Sequence, residues 1–146
     1  MAELDGRRAL ITGAGRGMGR AHAMVMAAQG AAVVVQDIDG DLANQTAALV
    51  REQGGAVEVM VGDISDVTDL KTKFAGIEPV DVLVNNAGID RPGTLEEIDE
   101  AGFDEMFAIH VKGAFFATQA VVPAMKEKRW GKIVNISSVW GMTAYT

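Results

Sequence analysis

A glycine-rich segment near the N-terminus has the composition and spacing of a phosphate-binding turn. The segment TGAGRGMG, residues 12–19, follows a short apolar run and opens into a helical pattern. Glycines at such a turn let the backbone bend tightly and approach a pyrophosphate without Cβ clashes, and the following helix supplies free N–H groups. The alternative is a flexible glycine loop that binds no ligand. The residues predicted to bind a dinucleotide here are Gly13, Gly15, Arg16, Gly17, Met18 and Gly19.

A carboxylate about twenty residues beyond the turn is where the adenosine ribose would be bound. Asp37 could accept hydrogen bonds from both ribose hydroxyls and would repel a 2′-phosphate, and Ile38 beside it is assigned to the same site. Arg16 favours NADP instead, because a guanidinium could neutralise that phosphate. We expect NAD, since desolvating a carboxylate against a phosphate is costly whereas Arg16 can swing into solvent. Asp37 and Asp39 could alternatively be solvated turn residues.

The elements that must position these residues alternate along the whole chain. The predicted strands are residues 9–11, 31–35, 57–61, 80–84 and 132–136, and the predicted helices are residues 17–29, 41–53, 67–74 and 100–128. Alternation with short links predicts an α/β fold, a doubly wound parallel sheet with helices on both faces. We expect one domain over residues 1–146, incomplete at its C-terminal side, because ten residues after the last strand leave its edge unpaired.

Composition excludes several classes of function. The formal net charge is −7 and no cluster of Lys and Arg forms a basic face, so no nucleic-acid partner is expected. The chain has no cysteine, which excludes disulfides and thiolate metal sites, and no metal site is predicted. Apolar runs are broken well before membrane-spanning length, so no membrane partner is expected. Cytoplasmic localisation is the default expectation.

Four segments, in this order, resemble the short-chain dehydrogenase/reductase family. They are TGAGRGMG at residues 12–19, GDISD at 62–66, NNAG at 85–88 and VNISS at 134–138. The resemblance covers the whole chain, and NNAG directly after a strand is highly specific to the family. It implies a Rossmann-type fold and an NAD(P)-dependent oxidoreductase that transfers a hydride between nicotinamide and an alcohol or carbonyl substrate.

The resemblance also implies roles for residues in the later segments. Asp63 and Ile64 would border the adenine, with the Asp63 carboxylate near its amino group. NNAG would brace the centre of the sheet and line the nicotinamide-ribose side, which assigns Asn86, Ala87 and Gly88 to the cofactor. The alternative for the two asparagines is a structural turn in which amides satisfy local backbone groups.

Ser138 and His110 are the catalytic candidates that the resemblance implies. The second serine after the fifth strand would donate a hydrogen bond to the substrate oxygen, although a serine there is otherwise an ordinary turn residue. The family has an asparagine that helps hold a proton-relay water, and His110 stands in its place before Lys-Gly. The alternative for His110 is a packed helix histidine, and His22 is interpreted as structural.

The family's general acid/base is the tyrosine of a Tyr-x-x-x-Lys pair, expected on a helix well beyond Ser138. Tyr145 is only seven positions after Ser138 and has no residue four positions on, so it receives no catalytic role. We therefore expect the chain to be truncated before the Tyr-Lys helix and to be inactive alone. The alternatives are a non-catalytic nucleotide-binding module, or a longer protein of which these residues are one part.

The long helix is apolar nearly all round, which indicates burial on more than one side. The apolar residues that cannot all face one sheet are Phe103, Met106, Phe107, Val111, Ala114, Phe115 and Val122. One face would cover the sheet, and the other would meet a further helix or another subunit. The family resemblance suggests a homodimer or homotetramer built through residues 103–128, and the alternative is a helix buried wholly within one chain.

Overall fold

Five parallel β-strands form one sheet in the computed structural model, which describes residues 3–139. The strands are β1 (Arg8–Ile11), β2 (Ala32–Asp37), β3 (Val57–Val61), β4 (Val82–Asn85) and β5 (Lys132–Asn135). The helices are α1 (Gly17–Ala28), α2 (Gly40–Glu52), α3 (Val67–Ala75), α4 (Glu100–Phe107) and α5 (Ala114–Lys128), with a π-helical segment, Ala108–Gly113, between the last two. The strand order is β3-β2-β1-β4-β5, which confirms the predicted doubly wound, Rossmann-type sheet.

The order of the strands reverses between β1 and β4. Strands β2 and β3 lie on one side of β1, whereas β4 and β5 lie on the other. In an open parallel sheet the connections then diverge and leave a crevice at the carboxyl ends of the central strands. The glycine-rich segment after β1 and the NNAG segment at the end of β4 therefore meet at this crevice.

Alternate side chains of the strands pack into two separate hydrophobic clusters, one on each face of the sheet. On β1, Ala9 and Ile11 pack into a cluster with residues of α1 and α2, whereas Leu10 packs on the opposite face with residues of α3 and α5. Successive side chains of a strand point to opposite faces, so a short run of apolar residues can serve both clusters. The sheet is covered by helices on both faces, as the alternation predicted.

Two strands differ from the predicted bounds by two residues at one end, whereas the others differ by at most one residue. Strand β2 continues through Gln36 and Asp37, because both residues pair in register with β3. Strand β4 begins at Val82 rather than Val80. The amide of Arg8 donates to the carboxylate of Asp81 rather than to a backbone carbonyl, and the regular β1–β4 pairing begins at Ala9 and Val82.

The long helix predicted over residues 100–128 is interrupted by the π-helical segment. Such a segment widens one turn, and it occurs frequently at functional sites. Gly113, the last residue of the segment, packs closely against the loop after β3. A Cβ on Gly113 would lie 3.0 Å from the Ile64 carbonyl oxygen, which is tighter than an ordinary contact. The periodicity of the sequence did not indicate this change of hydrogen-bond pattern.

Helix α5 covers the sheet with one face, through Ala117, Val121 and Met125. The seven apolar residues that cannot all face the sheet are each partly or largely exposed in the described residues, and the most exposed are Phe103, Phe107, Val111 and Phe115. All four residues of β5 are exposed, and an open groove of about 700 Å³ lies beside α5 and Asn135. Within residues 3–139, no helix is both long enough and apolar enough to cross a membrane.

Candidate functional site

A cleft of about 490 Å³ lies at the carboxyl ends of β1, β2, β3 and β4. Twelve of the thirteen residues predicted to bind the cofactor line it, although their roles remain predictions. They are Gly13, Arg16, Gly17, Met18, Gly19, Asp37, Ile38, Asp63, Ile64, Asn86, Ala87 and Gly88. The thirteenth, Gly15, is buried beside the side chain of Asp37. Four separate segments of the sequence thus converge on one cleft.

The glycines of the turn are required for two different reasons. A Cβ on Gly13 would lie 2.8 Å from the Cα of Ala87, and a Cβ on Gly19 would overlap the carbonyl oxygen of Gly13. These two glycines allow the turn to pack against the segment after β4. Gly17 has a φ of +56° and open space where its Cβ would be. It begins α1 at the cleft and leaves the approach to the helix end clear.

The N-terminus of α1 is not capped by a side chain, whereas three other helices are capped by aspartates. Asp39, Asp66 and Asp99 accept hydrogen bonds from the first backbone amides of α2, α3 and α4. Arg16 stands at the corresponding position of α1, makes no such bond, and is exposed. Amides in the first turn of α1 are therefore available to an anion, which the partial positive charge of the helix end also favours.

The carboxylate of Asp37, at the end of β2, holds the glycine turn by a hydrogen bond to its backbone. Asp37 is 9% exposed, and its carboxylate accepts hydrogen bonds from the Gly15 amide (2.7 Å) and the Asp39 amide (3.0 Å). The Gly15 carbonyl accepts hydrogen bonds from Arg20 and from the Thr46 hydroxyl, so Gly15 is held through both its amide and its carbonyl. A carboxylate oxygen has capacity for more than one hydrogen bond, so Asp37 can still accept from a ribose hydroxyl. Asp37 is a strand residue, whereas Asp39 is a helix cap.

Exposed apolar side chains flank the cleft. Met18 is 63% exposed and Ile38 is 67% exposed, although both are large and apolar. Asp63 is also exposed and accepts a hydrogen bond from the Ser65 amide. Ile64 is different, because it is 7% exposed and packs mainly into the core beneath the cleft.

Thr12 and Asn86 join the glycine turn to the NNAG segment. The Thr12 hydroxyl accepts hydrogen bonds from the amides of Asn86 (3.0 Å) and Ala87 (2.9 Å). The Asn86 side-chain amide donates to the carbonyls of Thr12 (2.9 Å) and Gly13 (3.1 Å). The bracing role expected for NNAG is therefore observed. No role was predicted for Thr12, although a small polar residue directly after a buried strand indicates a side chain that needs hydrogen-bond partners.

Asn85 points away from this cleft, into a smaller cavity. Its amide donates to the Asn135 side chain (2.8 Å) and to the Thr118 hydroxyl (3.2 Å). Its side-chain oxygen is buried and has no hydrogen-bond partner in the part of the chain that the structure describes. The cavity has a volume of about 90 Å³ and is lined by Asn85, Asn135 and His110, among others. A polar cavity of this size can hold ordered water.

His110 contacts the backbone just beyond NNAG. Its Nε2 lies 2.8 Å from the Ile89 carbonyl oxygen and 3.3 Å from the Ile89 nitrogen. Gly88 allows the approach, since a Cβ there would lie 2.6 Å from the His110 ring. His110 is exposed, so the alternative of a packed helix histidine does not describe it. Its catalytic role remains a prediction. His22 is half-buried in α1, and its Nδ1 is buried without a partner in the described residues.

Ser138 is exposed and lies three residues after the end of β5. Strand β5 pairs with β4, and Asn135 lies opposite Asn85, so Ser138 follows the carboxyl edge of the sheet. Its predicted role toward the substrate stays a prediction. Tyr145 lies outside the described residues. Among residues 3–139, no group of three His, Asp or Glu side chains is arranged to hold a metal ion.

Gln36 is a further cleft residue, for which no role was predicted from the sequence. It is 4% exposed on β2 and lies next to Asp37. Its side-chain Nε2 donates to the Gly62 carbonyl (2.7 Å), and its Oε1 accepts from the Gly13 amide (3.3 Å). A buried glutamine at the end of an otherwise apolar strand was the available signal, because such a side chain needs hydrogen-bond partners.

Comparison with known proteins assigns the chain to a family. The family model described as short chain dehydrogenase matches residues 7–146, so the chain belongs to the short-chain dehydrogenase family. It is 39% identical, over 98% of its length and 61% of the relative, to a (2S)-[(R)-hydroxy(phenyl)methyl]succinyl-CoA dehydrogenase subunit of Thauera aromatica.

Two solved structures have the same fold. A gluconate 5-dehydrogenase from Burkholderia cenocepacia, in complex with NADP and tartrate, matches 97% of this chain and 57% of its own at 36% identity and a TM-score of 0.89. A metagenomic short-chain oxidoreductase in complex with NADP matches 98% of this chain and 67% of its own at 32% identity and a TM-score of 0.93. The chain spans 56% and 61% of the length of the first two curated relatives it matches.

Proposed function

We propose that this chain is the cofactor-binding part of an NAD(P)-dependent oxidoreductase that interconverts an alcohol and a carbonyl compound. The cleft at the carboxyl ends of four strands carries the proposal, because it combines an uncapped helix end, a glycine turn and a buried carboxylate. The dehydrogenases among its relatives favour this function over a non-catalytic nucleotide-binding module.

The cleft suits a dinucleotide at three points. Amides at the start of α1 suit the pyrophosphate, and the open space at Gly17 admits it. The carboxylate of Asp37 suits the hydroxyls of the adenosine ribose. Exposed apolar side chains at Met18 and Ile38 provide surface for the flat, weakly polar parts of the ligand.

We propose NAD as the preferred cofactor. Asp37 is held in place by the Gly15 and Asp39 amides, so it cannot move aside for a 2′-phosphate without breaking those bonds. Arg16 is exposed and is the residue of the turn that could bind such a phosphate. The two similar structures contain NADP, which makes the choice between the cofactors a question for direct measurement.

Ser138 and His110 would have different roles in the proposed reaction. The bound nicotinamide would carry the hydride. Ser138 would donate a hydrogen bond to the substrate oxygen, and His110 would hold the backbone at Ile89 beside the nicotinamide-ribose side. The 146 residues contain one tyrosine, Tyr145, and no Tyr-x-x-x-Lys pair, so they carry no proton donor of the family's type. We expect these residues alone to bind NAD without turnover, and NAD-linked alcohol oxidation by them would contradict that.

The cofactor preference is tested by titrating the purified full chain with NAD and with NADP. We expect NAD to bind more tightly than NADP. Asp37→Ser should lower the ratio of the NADP dissociation constant to the NAD dissociation constant by about tenfold or more, equivalent to about 1.4 kcal/mol. Asp41→Ser is the matched control, because it removes the same charge from an exposed position in the first turn of α2. An unchanged ratio in Asp37→Ser would exclude Asp37 as the discriminating residue, and no binding of either cofactor would exclude the function.

We further propose that the protein forms a homodimer or homotetramer through the exposed apolar face of α4 and α5. Phe103 and Phe107 stack at 4.3 Å between ring centroids on this face, and Phe115 continues it. Large exposed apolar patches mark interaction sites. Cytoplasmic localisation remains a prediction.

A further inference from the structure

The side chain of Gln36 bridges two loops that form opposite walls of the cleft. Gly13 belongs to the glycine turn after β1, and Gly62 belongs to the loop after β3 that carries Asp63 and Ile64. The side-chain amide of Gln36 bonds to both, and the backbone carbonyl of Gln36 accepts from the Ala14 amide at 2.8 Å. One buried side chain therefore spans the separation between the two loops.

This bridge is the middle part of a row of hydrogen bonds across four strand ends. Asn86 after β4 bonds to Gly13 after β1, Gly13 bonds to Gln36 at the end of β2, and Gln36 bonds to Gly62 after β3. The Gly62 amide in turn donates to the Asp37 carbonyl at 3.0 Å. The row runs beneath the cleft from its β4 side to its β3 side.

We propose that Gln36 is a positioning residue that sets the width of the adenosine half of the cleft. The inference rests on the proposed function, because the two loops it joins are the ones assigned to pyrophosphate and adenine. Gln36 suits this role chemically, since a carboxamide can accept from the Gly13 amide and donate to the Gly62 carbonyl at the same time. A carboxylate cannot donate, and a thioether provides only a weak acceptor.

The chemistry of the bridge supplies a test that a purely structural role would not satisfy. In Gln36→Glu, an ionised carboxylate would face the Gly62 carbonyl oxygen and push the two loops apart. Burial and that oxygen raise the pKa of the introduced carboxyl. When it is protonated, it can again donate to Gly62 and accept from Gly13. The defect should therefore disappear as the pH falls.

The experiment measures the dissociation constant of ADP-ribose, which contains the adenosine half and the pyrophosphate, in the purified full chain. At about pH 8 we expect Gln36→Glu to bind about tenfold more weakly than the wild type. Toward about pH 5 the ratio of variant to wild-type constants should fall to near unity. Gln45→Glu, which places the same charge at an exposed position of α2, should match the wild type at each pH.

A second variant covers the case in which Gln36→Glu does not fold at high pH. Gln36→Met has a similar shape and no charge, so we expect it to fold and to bind ADP-ribose several-fold more weakly at every pH. Wild-type affinity in Gln36→Met, or a Gln36→Glu defect that does not change with pH, would overturn the inference. A wild-type chain that fails to bind ADP-ribose would overturn the proposed function as well, which separates the two failures.

Discussion

At the scale of single residues, the cleft is built by side chains that bond to backbone groups of other loops. Thr12 and Asn86 connect the glycine turn to NNAG, and Asp37 holds the Gly15 amide. Buried backbone groups that lose such a partner destabilise the fold, because they are not returned to water. These residues are therefore expected to affect both stability and binding when they are changed.

Thr12→Val tests whether the hydrogen bonds between the glycine turn and NNAG stabilise the fold. The change keeps the shape of the side chain and removes the acceptor for the Asn86 and Ala87 amides. We expect the free energy of unfolding to fall by about 1–3 kcal/mol, measured by urea denaturation. Thr12→Ser retains the hydroxyl and should lose less. Equal losses in the two variants would show that the methyl group, rather than the hydrogen bonds, stabilises this position.

At the opposite end of the sheet, just before β4, the side chain of Asp81 also bonds to a backbone group of another segment. Its carboxylate accepts hydrogen bonds from Lys128 (2.9 Å) and from the Arg8 amide (2.9 Å), and Arg7 lies 3.9 Å away. Burial is the largest single influence and would raise the pKa of Asp81, but the hydrogen bonds and positive charges together outweigh it and lower the pKa. The ionised carboxylate is therefore more stable in the folded state than in the unfolded state.

The pH dependence of stability follows from this direction. In the unfolded chain the carboxyl has a pKa of about 3.9, so the stabilisation is complete above that pH and is lost as the pH falls through the lower folded pKa. We expect Asp81→Asn to lose about 1–3 kcal/mol at neutral pH, and the gap to the wild type to narrow below about pH 4. Urea unfolding across pH provides the measurement. A gap that stays constant to about pH 2 would contradict the assignment.

At the scale of elements, most helices and strands end within two residues of the predicted bounds. Apolar runs, stops at glycine and aspartate caps are local signals, and the elements follow them. The π-helical segment is the main exception, because His110 and Gly113 contact residues that precede them by more than twenty positions in the sequence. Contacts with such distant partners leave no periodic trace in the sequence.

The end of α5 offers a test at this scale. Arg129 caps the helix in the left-handed conformation, with φ 52° and ψ 31°, where residues other than glycine are strained. We expect Arg129→Gly to raise the free energy of unfolding by about 0.5 kcal/mol, because relief of strain exceeds the added entropy of the unfolded chain. Arg129→Ala retains the strain and serves as the control. A rise of the same size in Arg129→Ala would attribute the effect to the lost side chain.

At the scale of the whole molecule, the edge of the sheet at β5 is more exposed than the centre of the sheet. Around β1 and β2 the helices cover the strands, whereas every residue of β5 is exposed and the outer face of α4 and α5 is apolar. Exposure of this kind is expected at a surface that packs against further protein. The described residues therefore combine a centre of the sheet that helices cover, where the candidate cofactor cleft lies, with an edge that exposes apolar side chains.

The proposed oligomer is tested on that uncovered side. Phe115 is 60% exposed on α5, and Val25 is 62% exposed on α1. In the full chain we expect Phe115→Glu to weaken self-association by about tenfold or more, because a charge is placed in an apolar interface. Light scattering during gel filtration should then give a lower mass for Phe115→Glu and an unchanged mass for Val25→Glu. A wild-type monomer, or equal effects of the two substitutions, would contradict the proposed interface.

The sequence by itself determined the α/β alternation, the glycine turn, the position of Asp37 and the NNAG segment, since these depend on neighbouring residues and on short spacings. Only the tertiary structure decided which side chains join the loops of the cleft. Gln36 meets Gly62, Thr12 meets Asn86, and Asp81 meets Lys128, at separations of 26, 74 and 47 residues. Partners so far apart along the chain are brought together by the order of the strands, which no local pattern of residues encodes.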